Sequence, residues 1–234
     1  MVCTQEIPIH PEESRLHYDA IAPQKTHNQC LARQRSGSLG CMEWVYAALA
    51  GYALGSLPFA YWFGLLQNKN LLTEGSGNVG SLNAWRVLGA VPGLMVMVLD
   101  LAKGLMAVAL GEFLARDPGG GLLAGALAVL GHCYSIWLLG RGGKGITPSI
   151  GALLAINPWL LVAAGGSFGL AYLLTRHPYR SVALTALAFP LASSAVGGSL
   201  SYLWFGFGIA LPVLLKHLAE WNHSPTTLTG KGGR

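Results

Sequence analysis

Charged residues are scarce in this sequence. They make up only 11% of its 234 residues, whereas soluble domains average about 25%. Twelve of them lie between Val45 and Leu215, nine precede Val45 and four follow Leu215. Hydrophobic residues account for 52%, and the mean hydropathy is +0.46. A soluble domain is therefore excluded. The sequence predicts a membrane domain over residues 44–217, a polar, disordered extension over 1–43 and a short polar tail over 218–234.

Several recognisable signals are also missing. Residues 1–41 contain no apolar h-region and no amphipathic period, which excludes a secretory signal and a transit peptide. Translation is expected either to begin at Met42 or to add residues 1–41 as a disordered tail. The four cysteines show no CxxC spacing and are predicted to be free thiols. No G-x-S-x-G elbow is present and core carboxylates are few, so neither a serine hydrolase nor a metal site is expected. The net charge of +5 is too small to indicate nucleic acid as a partner.

Long apolar stretches predict an all-α polytopic membrane protein with about seven spans. A spanning helix needs about 20 apolar residues. The stretch 148–174 carries Ile-Asn-Pro at 156–158, and Asn-Pro breaks helices, so we expect a short span followed by another. The chain from 182 to 215 divides near Gly-Gly-Ser. The predicted spans are therefore 44–66, 91–111, 121–139, two within 148–174, 182–198 and 199–215.

The basic residues predict the orientation of these spans. Odd-numbered loops hold Lys69, Arg86, Arg141, Lys144, Arg176 and Arg180, and Lys216 follows the last span. Because cytoplasmic loops are rich in Lys and Arg, we expect these loops and the C-terminus inside the cell. The protein is thus predicted to be a multi-pass membrane protein with these loops on the cytoplasmic side.

Two loops on the predicted cytoplasmic face have residues suited to binding anions. The first reads "EGSGNVGSLNAWRVLG" and the third "GRGGKG". They resemble a dinucleotide fingerprint and a P-loop only weakly, since the first follows a membrane helix and the second lacks the P-loop spacing. Glycines nevertheless let backbone N–H groups converge on an oxyanion, and a lysine adds charge. A phosphate-bearing molecule beside lipid is the expected ligand.

Ionisable residues within the spans leave two interpretations open. Asp100 and Lys103 lie at i, i+3 on one helix face, and His132 lies late in the third span. Such groups are usually functional in a membrane. They are also consistent with an internal ion pair and an internal hydrogen-bonding histidine.

Over residues 44–217 the sequence resembles the bacterial acyl-phosphate:glycerol-3-phosphate acyltransferases. The resemblance rests on five segments in matching order: "GSLPFAYWFG", "EGSGNVGSLNAWRVLG", "LDLAKG", "LGH" and "GRGGKG". It implies an enzyme of the inner membrane with its active site at the cytoplasmic face. The reaction would be transfer of a fatty acyl group from acyl phosphate to the sn-1 hydroxyl of glycerol 3-phosphate. The products would be lysophosphatidic acid and phosphate, for phospholipid synthesis. No metal or cofactor would be required, and membrane lipids would be the other partners.

The resemblance also implies a set of site residues. Those with a catalytic role would be Ser76, Asn78, Arg86, His132 and Lys144. Those that bind the substrates would be Gly75, Gly77, Gly80, Asn83, Lys103, Gly142, Gly143, Gly145, Arg180, Ser181 and His217.

Departures from the family pattern keep alternatives open. Pro148 stands at a family threonine and Ser135 at a family proline. The third family signature appears in altered order as Tyr179-Arg180-Ser181, and the spacing from His217 to Asn222 differs. The alternatives are a transporter or flippase of a phosphorylated metabolite, and an inactive paralogue. For the enzyme, we expect direct transfer without an acyl-enzyme, with His132, His217 or a substrate phosphate receiving the hydroxyl proton.

Overall fold

A computed structural model describes residues 41–222. The predictions for the N-terminal extension and for most of the C-terminal tail lie outside this range. The described residues form nine α-helices and one short 3₁₀ turn, as predicted for an all-α membrane protein. The helices are α1 (41–56), α2 (Phe59–Leu66), α3 (Ser81–Leu88), α4 (Ala90–Ala115), α5 (Pro118–Cys133), α6 (Ile146–Ile156), α7 (Pro158–Thr175), α8 (Pro178–Gly197) and α9 (Leu200–Leu218), and the 3₁₀ turn is Ile136–Leu138.

Six helical segments among the described residues are long and apolar enough to cross a membrane: Cys41–Leu66, Ala90–Ala115, Pro118–Leu138, Pro158–Thr175, Pro178–Gly197 and Leu200–Leu218. The seventh expected span is α6, which has 11 residues. At 1.5 Å per residue it is ~16 Å long, about half of the ~30 Å hydrocarbon core. A short span was predicted here, and α6 is short because it begins after the glycine-rich third loop at Gly145 and ends at Ile156, just before Asn157 and Pro158.

The chain breaks inside two of the apolar stretches. Asn157 caps α7 by accepting a hydrogen bond from the backbone N–H of Trp159 at 3.0 Å, and Pro158 follows at the first helical position. This break was predicted. A second break, at residues 57–58, interrupts the first span, which the sequence predicted to be continuous. Proline lacks an N–H and clashes with the preceding turn, which explains a break at Pro58.

Side chains from elsewhere in the bundle satisfy the carbonyls at the Pro58 break. The Ser135 hydroxyl donates to the carbonyl of Ser56 at 2.5 Å, and Lys103 Nζ donates to that of Leu57 at 3.0 Å. A buried carbonyl without a donor is costly in a bilayer. The break is therefore a defined feature that ties α1 and α2 to α4 and to the segment after α5.

Glycines bring α4 and α6 into backbone contact. A Cβ on Gly104 would lie 2.1 Å from the carbonyl oxygen of Pro148, and one on Gly151 would lie 2.0 Å from that of Leu101. Any larger side chain would push the two helices apart. This packing fixes the start of α6, and with it the third loop, against the middle of α4.

The odd-numbered loops come together at one end of the helix bundle. Arg86 from the first loop region, Lys144 from the third loop and Tyr179 from the start of α8 border the same cavity, as does His217 near the end of α9. The grouping agrees with the predicted alternation of loops across the membrane.

Candidate active site

A polar cavity of about 400 Å³ lies at this end of the bundle. The helices α3, α6 and α8 all begin at its wall, where Gly80, Gly145 and Pro178 line it. The first N–H groups of a helix have no partner within the helix and carry partial positive charge. Nine of the predicted site residues line the cavity: Ser76, Asn78, Gly80, Asn83, Arg86, His132, Lys144, Gly145 and His217.

Asn83 holds the first loop in shape. Its side-chain amide donates to the carbonyls of Glu74 at 3.0 Å and Leu71 at 3.4 Å, and its oxygen accepts from the backbone N–H of Ser76 at 2.9 Å. Gly75 lies directly against it with φ +63°, and a Cβ there would be 2.2 Å from the Asn83 oxygen. Asn83 therefore positions Ser76 at the cavity wall from a side chain that is only 1% exposed.

The third loop folds back on the end of α5. The backbone N–H of Gly143 donates to the carbonyl of His132 at 2.9 Å, and that of Gly142 donates to Cys133 at 3.2 Å. A Cβ on Gly142 would lie 2.0 Å from the His132 carbonyl oxygen, and one on Gly143 would lie 2.2 Å from His132 Nε2. Glycine is required here by close approach. The result is that Lys144 follows immediately at the cavity, just before α6 begins.

A buried charged cluster lies beneath the third loop. Lys103 Nζ is 2.9 Å from Asp100 Oδ1, and His132 Nδ1 is 3.6 Å from the same oxygen. All three side chains are buried, with Asp100 only 2% exposed. The internal ion pair that the sequence left open is present. Through His132 the cluster supports the glycines that carry Lys144.

One aromatic ring and one carboxylate hold the Lys144 ammonium. Nζ lies 4.4 Å from the centroid of the Tyr179 ring, and it forms an ion pair with the carboxylate of Glu220. Trp221, the residue after Glu220, holds Arg180 in a similar way. The Nε of Arg180 donates to the Trp221 carbonyl at 3.3 Å, and its guanidinium lies over the Trp221 ring at 5.5 Å.

His217 faces the cavity in a defined tautomer. Its Nδ1 is 2.8 Å from the carbonyl oxygen of Val213. A carbonyl only accepts, so Nδ1 carries the proton and the neutral ring has a bare Nε2. The ring packs near Tyr179, with 6.3 Å between centroids.

The remaining predicted site residues do not form the cavity wall. The amine of Lys103 is turned toward Asp100 and Leu57, and Ser181 donates to the carbonyl of His177 at 2.8 Å at the start of α8. Arg180 contacts Trp221. The glycines 75, 77, 142 and 143 shape the two loops from behind the residues that line the cavity.

The cavity also has residues that were not predicted from the sequence as site residues. Tyr179 and Thr147 line it, and Glu220 reaches its lysine. Tyr179 follows Pro178 at the start of α8 and belongs to the altered family signature, from which only Arg180 and Ser181 were predicted as site residues. Glu220 lies beyond the last apolar span, where sequence spacing carries little information.

The family departures in the loops fit the structure. Pro148 lies in the first turn of α6, where N–H groups have no helical partner, so its missing N–H does no harm. Ser135 supplies the donor for the Ser56 carbonyl. Within residues 41–222, no three His, Cys, Asp or Glu side chains are grouped as metal ligands would need to be.

Comparisons with known proteins agree with this architecture. The sequence model of the family described as glycerol-3-phosphate acyltransferase matches residues 45–224. A glycerol-3-phosphate acyltransferase of Synechococcus sp. (strain JA-3-3Ab) is 41% identical over 172 residues, covering 73% of this chain and 84% of the relative. One of Carboxydothermus hydrogenoformans is 33% identical over 174 residues, covering 74% and 88%.

A solved structure shares the fold. The crystal structure of PlsY (YgiH), an integral membrane glycerol 3-phosphate acyltransferase in its glycerol 3-phosphate form, matches with a TM-score of 0.66 and 25% identity. The match covers 76% of this chain and 90% of that one. With its helical membrane fold, this chain therefore belongs to the glycerol-3-phosphate acyltransferase family and is a membrane acyltransferase.

Proposed function

We propose that the protein transfers a fatty acyl group from acyl phosphate to the sn-1 hydroxyl of glycerol 3-phosphate, forming lysophosphatidic acid and phosphate. The observation that carries this proposal is a polar, cationic cavity that continues into an apolar crevice. Among relatives of this fold, PlsY was crystallised in a glycerol 3-phosphate form. The cavity suits two substrates that are both anionic, one of which also carries an alkyl chain.

The polar part supplies positive charge from several separate segments. Arg86 and Lys144 both line it, and the N-termini of α3, α6 and α8 add partial positive charge. Two phosphates repel each other in water. A site that offsets both charges and holds the acceptor hydroxyl near the acyl carbon removes much of the barrier, and positioning of this kind can contribute roughly 7–11 kcal/mol.

The apolar part is a crevice of about 310 Å³ between α6, α7, α8 and α9. It shares Ile146, Phe168 and Val182 with the polar cavity, so the two spaces adjoin. Apart from Ser149 and Thr185, its lining is apolar. We place the acyl chain of the donor here, with its phosphate at Lys144.

The chemistry is a direct transfer. The sn-1 oxygen attacks the acyl carbon, the bond from that carbon to the phosphate oxygen breaks, and phosphate leaves with the electron pair. Ser76, Asn78 and loop N–H groups stabilise the oxyanion that develops on the acyl oxygen, each contributing about 3 kcal/mol. Phosphate is a good leaving group, so no enzyme nucleophile is needed.

Of the two histidines, His217 is the better proton acceptor. Because Nδ1 donates to the Val213 carbonyl, the neutral ring leaves Nε2 free to accept a proton, and the ring lines the cavity. His132 also lines the cavity, but its Nδ1 faces Asp100 and its Nε2 packs against Gly143. We therefore assign His132 a positioning role for the third loop. The phosphate of the acceptor is the alternative proton acceptor to His217.

The buried charges of Lys103 and Asp100 do not support the alternative of a transporter, because both are paired within the protein. Asp100 and Lys103 pair with each other; Asp100 also contacts His132, and Lys103 also donates to the Leu57 carbonyl. We place the cavity on the cytoplasmic side of the inner membrane, because basic side chains gather at this end and cytoplasmic loops are rich in Lys and Arg.

The test uses the full chain purified in detergent. It is incubated with labelled glycerol 3-phosphate and either palmitoyl phosphate or palmitoyl-CoA, and lysophosphatidate is measured. The proposal predicts product with palmitoyl phosphate alone. Product from palmitoyl-CoA at a similar rate would reject the assigned donor, and a stable acyl-Ser76 species in a single turnover would reject direct transfer.

A further inference from the structure

We propose that Glu220 is a resident anion that occupies the phosphate-binding position at Lys144 and must be displaced by substrate. This inference rests on the function proposed above, since it concerns the same lysine. It assigns to the turn after α9 the role of setting the affinity of the site for anions.

The first observation is the ion pair itself. Lys144 is the cation that the third loop places at the cavity, and its ammonium is paired with the Glu220 carboxylate. The two residues are 76 apart in sequence. Their side chains are 18% and 30% exposed, so the pair lies at the boundary between the protein interior and solvent.

The second observation is that the neighbouring residue anchors the same turn. The Trp221 carbonyl accepts from Arg180 Nε at 3.3 Å, and the Arg180 guanidinium lies 5.5 Å from the centroid of the Trp221 ring. The turn is thus held at two adjacent positions by two basic side chains. The family resemblance implies a site role for both Lys144 and Arg180.

A carboxylate and a phosphate cannot share one ammonium without repulsion. While the Glu220 carboxylate stays on the Lys144 ammonium, its negative charge repels a phosphate that approaches within a few ångströms and offsets much of the attraction of the lysine. Substrate binding at Lys144 therefore requires the Glu220 carboxylate to leave. The Tyr179 ring, whose centroid is 4.4 Å from the lysine Nζ, stays in place and keeps the ammonium in the cavity.

The position of Glu220 allows this exchange. The helix α9 ends at Leu218, and Glu220 lies in the turn that follows, with its backbone N–H bonded to the His217 carbonyl at 3.1 Å. Because the residue is outside the helix and partly exposed, its side chain can turn into solvent without unwinding α9 or moving His217. The carboxylate then regains water as its partner.

The experiment measures binding without the acyl donor. Equilibrium binding of labelled glycerol 3-phosphate is measured for the purified full chain, for Glu220→Gln and for the control Glu112→Gln, an exposed acid on α4. Glu220→Gln is expected to lower the dissociation constant about 2- to 5-fold, and Glu112→Gln to leave it unchanged. In a Lys144→Ala background, Glu220→Gln should have no effect. Trp221→Ala, which loosens the same turn, should also tighten binding.

Unchanged or weaker binding in Glu220→Gln would overturn the proposal, as would tightening that persists without Lys144. If Glu220→Gln does not yield folded protein, Trp221→Ala decides by the same criterion. Should glycerol 3-phosphate not bind, inorganic phosphate is the probe. If the wild-type chain transferred no acyl group but Glu220→Gln still tightened phosphate binding, the proposed reaction would be rejected. The role of Glu220 as a resident anion at Lys144 would stand.

Discussion

Removing the Asp100 carboxylate should destabilise the protein strongly, since it leaves a buried cation without its counter-ion. Asp100 and Lys103 are 2% and 3% exposed, and their charged atoms are 2.9 Å apart. In Asp100→Asn the Lys103 ammonium keeps its bond to the Leu57 carbonyl but loses the opposite charge. The perturbation is thus confined to one buried charge beneath the third loop.

The expected magnitude follows from the burial of the pair. Breaking a buried ion pair by removing one partner costs about 3–5 kcal/mol. For a chain of this size, 1 kcal/mol shifts the melting temperature by about 2–4 °C, so Asp100→Asn should lower it by about 6–20 °C. Activity should also fall, because His132 and the glycines of the third loop lose their support.

The assay is thermal unfolding of the purified protein in detergent, followed by the fraction that remains monodisperse. The double variant Asp100→Asn, Lys103→Met removes both charges and should recover part of the loss. Recovery should be incomplete, since the Leu57 carbonyl then lacks its donor, at about 1–3 kcal/mol. A melting temperature within 2 °C of wild type for Asp100→Asn, or a double variant less stable than the single one, would refute this account of the cluster.

Three further predictions concern the loops and the crevice. Gly143→Ala should lower kcat/KM about 5- to 150-fold, because the added Cβ meets His132 Nε2 at 2.2 Å; a steady-state rate equal to wild type would contradict the loop geometry. Arg86→Ala should raise the apparent KM for glycerol 3-phosphate by about 10- to 150-fold through loss of a charged hydrogen bond, and an unchanged KM would assign Arg86 elsewhere. Ala186→Phe fills the apolar crevice, so relative rates with decanoyl and palmitoyl phosphate should shift toward the shorter chain; an unaltered ratio would place the acyl chain outside it.

The sequence predicted most of the membrane helices because apolar length and proline leave strong local signals. The break at Asn157–Pro158 and the division between α8 and α9 are confirmed. The break at Pro58 was missed because the residues on both sides are equally apolar, although the proline itself was a signal. The helix α3 was missed because its short segment was interpreted as loop, and its fixed position depends on contacts such as Asn83 with the loop before it.

The candidate site was less predictable than the fold. Residue type and loop position indicated Arg86 and Lys144, and both line the cavity. Sequence could not distinguish a residue that lines the cavity from one that supports it, as with Lys103, because that depends on which way a buried side chain turns. Tyr179 and Glu220 were not predicted as site residues for a related reason, since each reaches Lys144 only through the packing of distant helices.

The central claim is that the third loop places one particular cation in a shared cavity where acyl transfer occurs. Arg141 lies in the same loop, is exposed and is not among the residues that line the cavity, which makes it a matched control. The most direct measurement is therefore kcat/KM for lysophosphatidate formation from palmitoyl phosphate by Lys144→Ala and Arg141→Ala. We expect a loss of about 10²- to 10³-fold for Lys144→Ala and near wild-type turnover for Arg141→Ala. Equal effects of the two substitutions, or normal turnover without Lys144, would contradict the account.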